Sequence, residues 1–333
     1  MRVNLAQKRI IIIHGLASKP PEDVWLKLCR SCLVENIGLQ EKALASQLEK
    51  HPETIQSAYW ADCVPHHIPD DDNYCSLLQE RVCDIIAERK EVGSAFHVGV
   101  GERVGAFFKN RGADLVEILA SAVASKEAVM KSFLEETRLY SEEQYIADLM
   151  RRSLEEHLME SWKQNCDVAL LSHSMGTFIA FDVLWRFSHR AAEPYRSFHN
   201  RKVQLFVTMG SPLCEAPVKA MLFARHHSGA GSRQFPTNFQ MWHNYSCLGD
   251  LVCHGADFRA DYFNRLCACN VIASEPEHLL IDYSNLHNPF VNVEHEGNLL
   301  MPKRNPHKEY GYYVQPRLGT WLADFLTGRL LFT

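Results

Sequence analysis

Short, unbroken runs of β-branched and aliphatic residues recur along this chain, and they constrain its fold more than any other feature. The clearest are Arg9–Ile13, Val168–Leu171, Val203–Val207 and Leu279–Ile281. Two weaker ones, Thr54–Trp60 and Asn238–Tyr245, partly alternate apolar with polar residues. Runs of this length suit strands covered on both faces, as in a parallel sheet. Helical patterns separate them. Val24, Leu28 and Cys32 recur at four-residue spacing within Pro20–Leu33, and Ile146, Leu149, Met150, Leu154 and Leu158 do likewise ahead of the Val168 run. Met175–Phe187 follows that run at once, and Pro316–Phe325 lies near the end of the chain. This alternation predicts an α/β fold: a mostly parallel central sheet flanked by helices and joined by right-handed crossovers.

The rhythm breaks between Asp62 and about Tyr140. A turn, Pro65-His66-His67-Ile68-Pro69-Asp70-Asp71-Asp72, opens two helix-like stretches, Tyr74–Glu88 and Glu102–Phe133. The second carries Phe107, Phe108, Leu115, Ile118, Leu119 and Val123. We read 62–140 as a helical insertion before the Val168 strand that could cap a site as a lid or add a packing layer. An apolar stripe at helical spacing is more often core than lipid-binding. Residues 1–333 are accordingly expected to form a single domain.

Composition narrows the function classes. With 35 Lys+Arg against 40 Asp+Glu, the net charge is −5. Such a chain has no global attraction to a phosphate backbone, and clusters such as Lys303-Arg304 are too short to suggest nucleic-acid binding. The 11 cysteines are odd in number and scattered, and no secretory leader pattern precedes them. Reduced, mostly buried thiols and a cytoplasmic location are therefore expected. Cys29/Cys32 and Cys267/Cys269 lack the partner spacing of a zinc site. His66-His67 with Asp70–Asp72 reads as a solvated turn rather than a metal site. No apolar run reaches the ~18–20 residues of a membrane span, so membrane contact would be peripheral.

The chemistry concentrates where the Val168 run meets a helix with no loop between, at Ser172-His173-Ser174-Met175-Gly176. This is the context of a nucleophile elbow, a sharp turn that strains the central serine and lifts its Oγ clear of the sheet. Small residues are needed two positions before and after, where strand and helix pass closely. Gly176 supplies one; Ser172 replaces the usual glycine at the other. A serine N-cap on an ordinary helix would share part of this pattern.

Further features follow in a telling order. The Ile10–Ile13 run ends in His14-Gly15-Leu16, where a loop amide from Leu16 or its neighbour Ala17 would join that of Met175 as an oxyanion hole. Gly15 would let backbone approach a substrate, and His14 with Gly15 would line its site. Asp250 follows the Asn238–Tyr245 strand, with Asp257 and Asp261 as fallback acids. His254, His278, His287, His295 and His307 are the downstream bases; position favours His307, in a loop ahead of the last helix, with His295 second. His173 reads as packed beneath the elbow rather than as the base.

Together, Ile10–Leu16, Ser172–Gly176, Thr208-Met209-Gly210-Ser211-Pro212-Leu213, Asp250 and Pro306-His307 resemble the α/β-hydrolase superfamily and look most like its lipase/esterase branch. The Gly-Ser-Pro-Leu run recurs in that branch, and Asn305-Pro306-His307 with Tyr310-Gly311-Tyr312 resembles its histidine loop. The resemblance spans Ile10 to the last helix apart from 62–140. It implies an α/β-hydrolase fold and a serine esterase. Ser174 would be nucleophile, His307 base and Asp250 its orienting acid, acting on a small-molecule or lipid-like acyl ester (a thioester included) without cofactor or metal. The alternative is a non-catalytic scaffold of this fold that serves as a binding or interaction protein. A dinucleotide site at Gly99–Gly105 is rejected, since the glycine spacing is wrong and no strand precedes it.

Overall fold

A computed structural model of the chain describes residues 4–17, 19–65, 67, 69–92, 135–226, 231–247, 249–250, 252–253, 258–272, 280–291 and 305–330. Its centre is a six-stranded, wholly parallel sheet of β1 (Lys8–Ile13), β2 (Ile55–Ala58), β3 (Asp167–His173), β4 (Val203–Met209), β5 (Phe239–Cys247) and β6 (Leu280–Leu286). The strand order is β2-β1-β3-β4-β5-β6. All the apolar runs of the sequence reading contribute strands, the two weaker ones included.

Both faces of the sheet are covered. Ile10 and Ile12 pack on one side with Trp25, Leu28 and Leu33 of α1 (Glu22–Gln40) and with Leu318 and Leu322 of a C-terminal helix, Pro316–Thr327. Ile11 and Ile13 pack on the other with Met150, Leu154 and Leu158 of a helix at Gln144–Lys163 and with Phe178 and Phe181 of a helix at Met175–His189. All four isoleucines are fully buried. This two-sided burial explains why the run is continuous rather than alternating. A short amphipathic helix, α2 (Lys42–Lys50), was not expected; it buries only Leu44 and Leu48.

Within 62–140, Asp72–Val92 forms α3, whose Leu78, Val82 and Ile85 join the cluster around α1. Residues 93–134, including Phe107 and Phe108, lie outside the described residues. Helical residues 135–142 lead into α4 (Gln144–Lys163), and the helix after β3 is α5 (Met175–His189). The remaining helices used below are α6 (Glu309–Tyr313) and α7 (Pro316–Thr327). All 11 cysteines are free. Among the described residues, no helix is long and apolar enough to cross a membrane, and no group of three or more His, Cys, Asp or Glu side chains gathers to hold a metal ion.

The strand order fixes where a site can form. From β1 the chain steps outward to β2, then crosses to β3 on the other side of β1. The carboxyl ends of β1 and β3 therefore flank a topological switch point, where ligands bind in open α/β sheets. Ile13 pairs with Ser172, so His14-Gly15 and Ser174 emerge side by side.

Three fully or nearly fully buried histidines give the fold an acid limit. Burial, helped at His14 by the charge of Lys19, holds that ring well below its ordinary value. Burial, then the charge of His307, takes His173 to about 3. Burial alone takes His243 to about 3. The unfolded chain takes up these protons near pH 6.5 and the folded one refuses them. Stability should thus be complete above pH 6.5 and fall below it, by about 1.4 kcal/mol per pH unit for each histidine. Urea midpoints at pH 7.5 and 5.0, above the range where free carboxylates protonate, test this; equal midpoints would contradict it.

Candidate active site

Ser174 sits between the last residue of β3 and the first of α5 with φ 51 and ψ −124. A positive φ costs a non-glycine residue roughly 1–3 kcal/mol and persists only where its surroundings enforce it. Here the Ser174 N–H donates to the Met209 carbonyl at the end of β4 (2.9 Å). Its own carbonyl accepts from the Thr177 N–H (3.0 Å) and Thr177 Oγ1 (2.7 Å), and Ser211 Oγ donates in turn to Thr177 Oγ1 (2.9 Å). A Cβ on Gly176 would lie 2.4 Å from the His14 carbonyl oxygen, so only glycine lets α5 pass the end of β1. Ser172 is fully buried and donates to the Val207 carbonyl (2.8 Å), so its hydroxyl is satisfied inside the sheet.

His307 meets Ser174 from the loop before α6. Its Nε2 lies 2.8 Å from Ser174 Oγ, and its Nδ1 lies 2.9 Å from both oxygens of Asp250. Asp250 is 1% exposed. Burial would raise its carboxyl, but the charge and hydrogen bond of His307, then hydrogen bonds from Tyr312 and the Val252 N–H, outweigh it and hold it below the usual range. Tyr312 donates its hydroxyl to Oδ2 at 2.6 Å, and the Val252 N–H donates to Oδ1 at 3.0 Å. An ionised Asp250 requires the proton on Nδ1, which leaves the Nε2 lone pair to accept from Ser174. Gly210 makes room: with φ 54, a Cβ there would stand 2.9 Å from Asp250 Oδ2 and 3.0 Å from His307 Cε1.

Other acids and bases of the sequence reading fall elsewhere. Asp261 pairs with Lys219 Nζ at 2.6 Å. His254, Asp257, His278 and His295 lie outside the described residues. His173 tucks under the elbow: its Nε2 donates to the His307 carbonyl (2.6 Å), and the two ring centroids lie 4.7 Å apart with the planes tilted by 41°. As a neutral ring donating through Nε2, it orients the His307 backbone.

The loop after β1 completes the cluster. The N–H groups of Leu16 and Met175 donate to no acceptor among the described residues, whereas the Ala17 N–H donates to Glu136 (2.8 Å). Of the two loop amides considered, Leu16 is therefore the one left to act. A Cβ on Gly15 would lie 2.7 Å from Ser174 Cβ and 3.2 Å from its Oγ, so the close approach is to Ser174 itself. His14 is a correction, because its side chain has no group left for a substrate. It is fully buried, Nδ1 lies 3.1 Å from the Gly15 carbonyl oxygen and Nε2 accepts from the Trp60 N–H (3.0 Å). The ring stacks on Trp60 at 4.6 Å with Trp25 and Tyr59 around it.

Several supporting residues escaped the sequence reading. Asn288 Nδ2 donates to the carbonyls on either side of His307, those of Pro306 and Lys308 (both 2.9 Å). It fills the space a Gly311 side chain would need, since a Cβ there would overlap its Oδ1. The sequence marks Tyr312 only as part of the Tyr310-Gly311-Tyr312 motif. Nothing local in the sequence marks Asn288, Glu136, Lys19 or Glu309, because their partners are distant in the chain.

The arrangement can draw a proton from a serine hydroxyl while two amides stand ready for an oxyanion. Compared with family models, curated proteins and solved structures, the chain matches none.

Tyr312 also accepts from the Cys247 N–H (3.1 Å), so Tyr312→Phe removes two buried hydrogen bonds, one to a charged group. It should lower unfolding free energy by about 2–4 kcal/mol at pH 7. Urea denaturation measures this, and an unchanged midpoint would contradict the assigned bonding.

Proposed function

We propose that the protein is a serine hydrolase of the α/β-hydrolase fold, cleaving a carboxylic ester or thioester of a small-molecule or lipid-like acyl group. The observation that carries this reading is the unbroken contact line from Ser174 Oγ to His307 (2.8 Å) to Asp250 (2.9 Å), on a serine held at φ 51. A structural serine needs neither that backbone strain nor a buried carboxylate behind its histidine. The direct contact likewise speaks against a binding scaffold without a working nucleophile.

In the reaction, Ser174 Oγ attacks the acyl carbonyl carbon as its proton passes to His307 Nε2. The carbonyl oxygen becomes an oxyanion received by the Leu16 and Met175 amides, with the positive end of α5 adding a favourable field. Asp250 keeps the ring in the required tautomer and stabilises the imidazolium, without itself taking the proton. His307 then gives its proton to the leaving oxygen or sulfur, and the C–O or C–S bond breaks to leave an acyl-serine. Water, deprotonated by His307, attacks that ester; the acid leaves and Ser174 regains its proton. The insertion at 62–140 would supply walls of the acyl site, and no cofactor is called for.

Ser174→Ala should abolish labelling by a fluorophosphonate probe and lower p-nitrophenyl ester hydrolysis by about 10³-fold or more. Hydrolysis and labelling equal to wild type would sink the reading.

A further inference from the structure

Lys19 and Glu309 form a buried ion pair that none of the steps above uses. Lys19 Nζ lies 3.1 Å from Glu309 Oε1, and the two side chains are 6% and 1% exposed. Trp25 of α1 donates its indole N–H to the same oxygen (3.2 Å), and Lys308 Nζ stands 4.0 Å from Oε2. Burial would raise the Glu309 carboxyl, but the charge of Lys19, then that of Lys308, outweighs it and holds it well below its ordinary value. The Glu309 carboxyl is therefore ionised where it meets Lys19.

A buried pair of this kind is a poor device for stability alone. Desolvation of two ions offsets most of their attraction, and apolar side chains of similar volume often serve as well or better. What distinguishes this pair is what it joins. Lys19 lies three residues beyond Leu16, on the loop that carries the Leu16 amide. Glu309 lies two residues beyond His307, at the start of α6. The pair thus ties together two loops from opposite ends of the chain, each carrying one working part of the site. The Leu16 side is also held at Ala17 by Glu136, and the His307 side by Asn288 and His173. Each of those contacts holds one loop, or His307 to the elbow. Lys19–Glu309 joins the amide loop directly to the base loop.

We propose that Lys19 and Glu309 are positioning residues whose ion pair sets the spacing between the Leu16 oxyanion donor and the His307 base. This rests on the serine-hydrolase reading. An oxyanion and an imidazolium form together both when the serine attacks and when water attacks the acyl-serine, so an error in that spacing raises the barriers to acylation and deacylation alike without changing how substrate first binds. Misplacement of about 1 Å can cost about 10²-fold in rate.

The experiment compares wild type, Glu309→Gln, Lys19→Met and the double variant Lys19→Met/Glu309→Met. Each is assayed with p-nitrophenyl acetate and a fluorophosphonate probe, per folded molecule and below its own Tm. The single variants should lose Tm, since each leaves a buried charge or polar group poorly paired. The double variant should regain most of that Tm, yet keep kcat and the labelling rate about 10- to 100-fold below wild type with KM within about twofold. Wild-type kcat in the double variant, or a loss confined to KM, would overturn the proposal. Should the double variant not fold, Glu309→Gln decides by the same split between kcat and KM. A wild type that hydrolyses and labels no better than Ser174→Ala would instead remove the hydrolase reading itself, whatever Lys19 and Glu309 do.

Discussion

The strained backbone at Ser174 is the constraint on which the rest of the site depends, and two neighbouring strands and its own helix enforce it. The amide of Ser174 is claimed by β4 through Met209, the α5 backbone is pressed against the end of β1 at Gly176, and Thr177 holds the Ser174 carbonyl from within the helix. Relaxing φ toward negative values would break the bond to Met209 and move α5 off β1. Phe178, Ile179 and Phe181 would then be drawn out of the cluster they fill. The elbow is thus held by core packing of the whole sheet rather than by its own few residues. Gly15 and Gly210 have the same origin: each lies where a strand end comes within van der Waals reach of Ser174, Asp250 or His307.

His307 presents the opposite problem, because a loop has no sheet to fix it. Its position comes from polar contacts on several sides. Asn288 takes the carbonyls before and after it, His173 takes its own carbonyl, and Asn305 Oδ1 accepts its amide (3.1 Å). These partners are buried or half-buried, so each bond replaces solvation that the loop would otherwise lose on folding. A lone histidine in a mobile turn would sample many orientations; this one has its backbone donor and acceptor both spoken for before its ring meets Ser174.

The legible and illegible parts of the structure divide along the range of the signal. The strands were readable because Ile10–Ile13, Val168–Leu171 and Val203–Val207 are local runs whose burial on both faces leaves no polar alternation. The turn at Ser174 was readable for the same reason: strand, small residues and helix are contiguous. Lys42–Lys50 escaped because two leucines in nine residues leave a weak stripe. His14 was misread as lining a substrate site because a histidine before glycine resembles an exposed loop. Its cage comes from Trp25 on α1 and from Tyr59 and Trp60 beyond β2, which only the β2-β1 pairing brings together. Asn288, Glu136 and Lys19 were invisible on the same grounds, since each acts on a segment that is near in space and far in sequence.

Charge arithmetic around His307 follows from these distant contacts. Two carboxylates, Asp250 and Glu309, lie buried near its loop, and burial would raise both. They are kept ionised by different means. Asp250 faces His307 with hydrogen bonds from Tyr312 and Val252, and no lysine or arginine lies within ion-pair distance of it among the described residues. Glu309 is matched by Lys19, with Lys308 close by. The negative charge that acts on the imidazole is consequently that of Asp250, aimed at Nδ1, while that of Glu309 is largely spent on its lysine. Loss of the lysine would leave a second buried anion near His307, so the cation at Lys19 both joins the two loops and leaves Asp250 as the carboxylate that faces the ring.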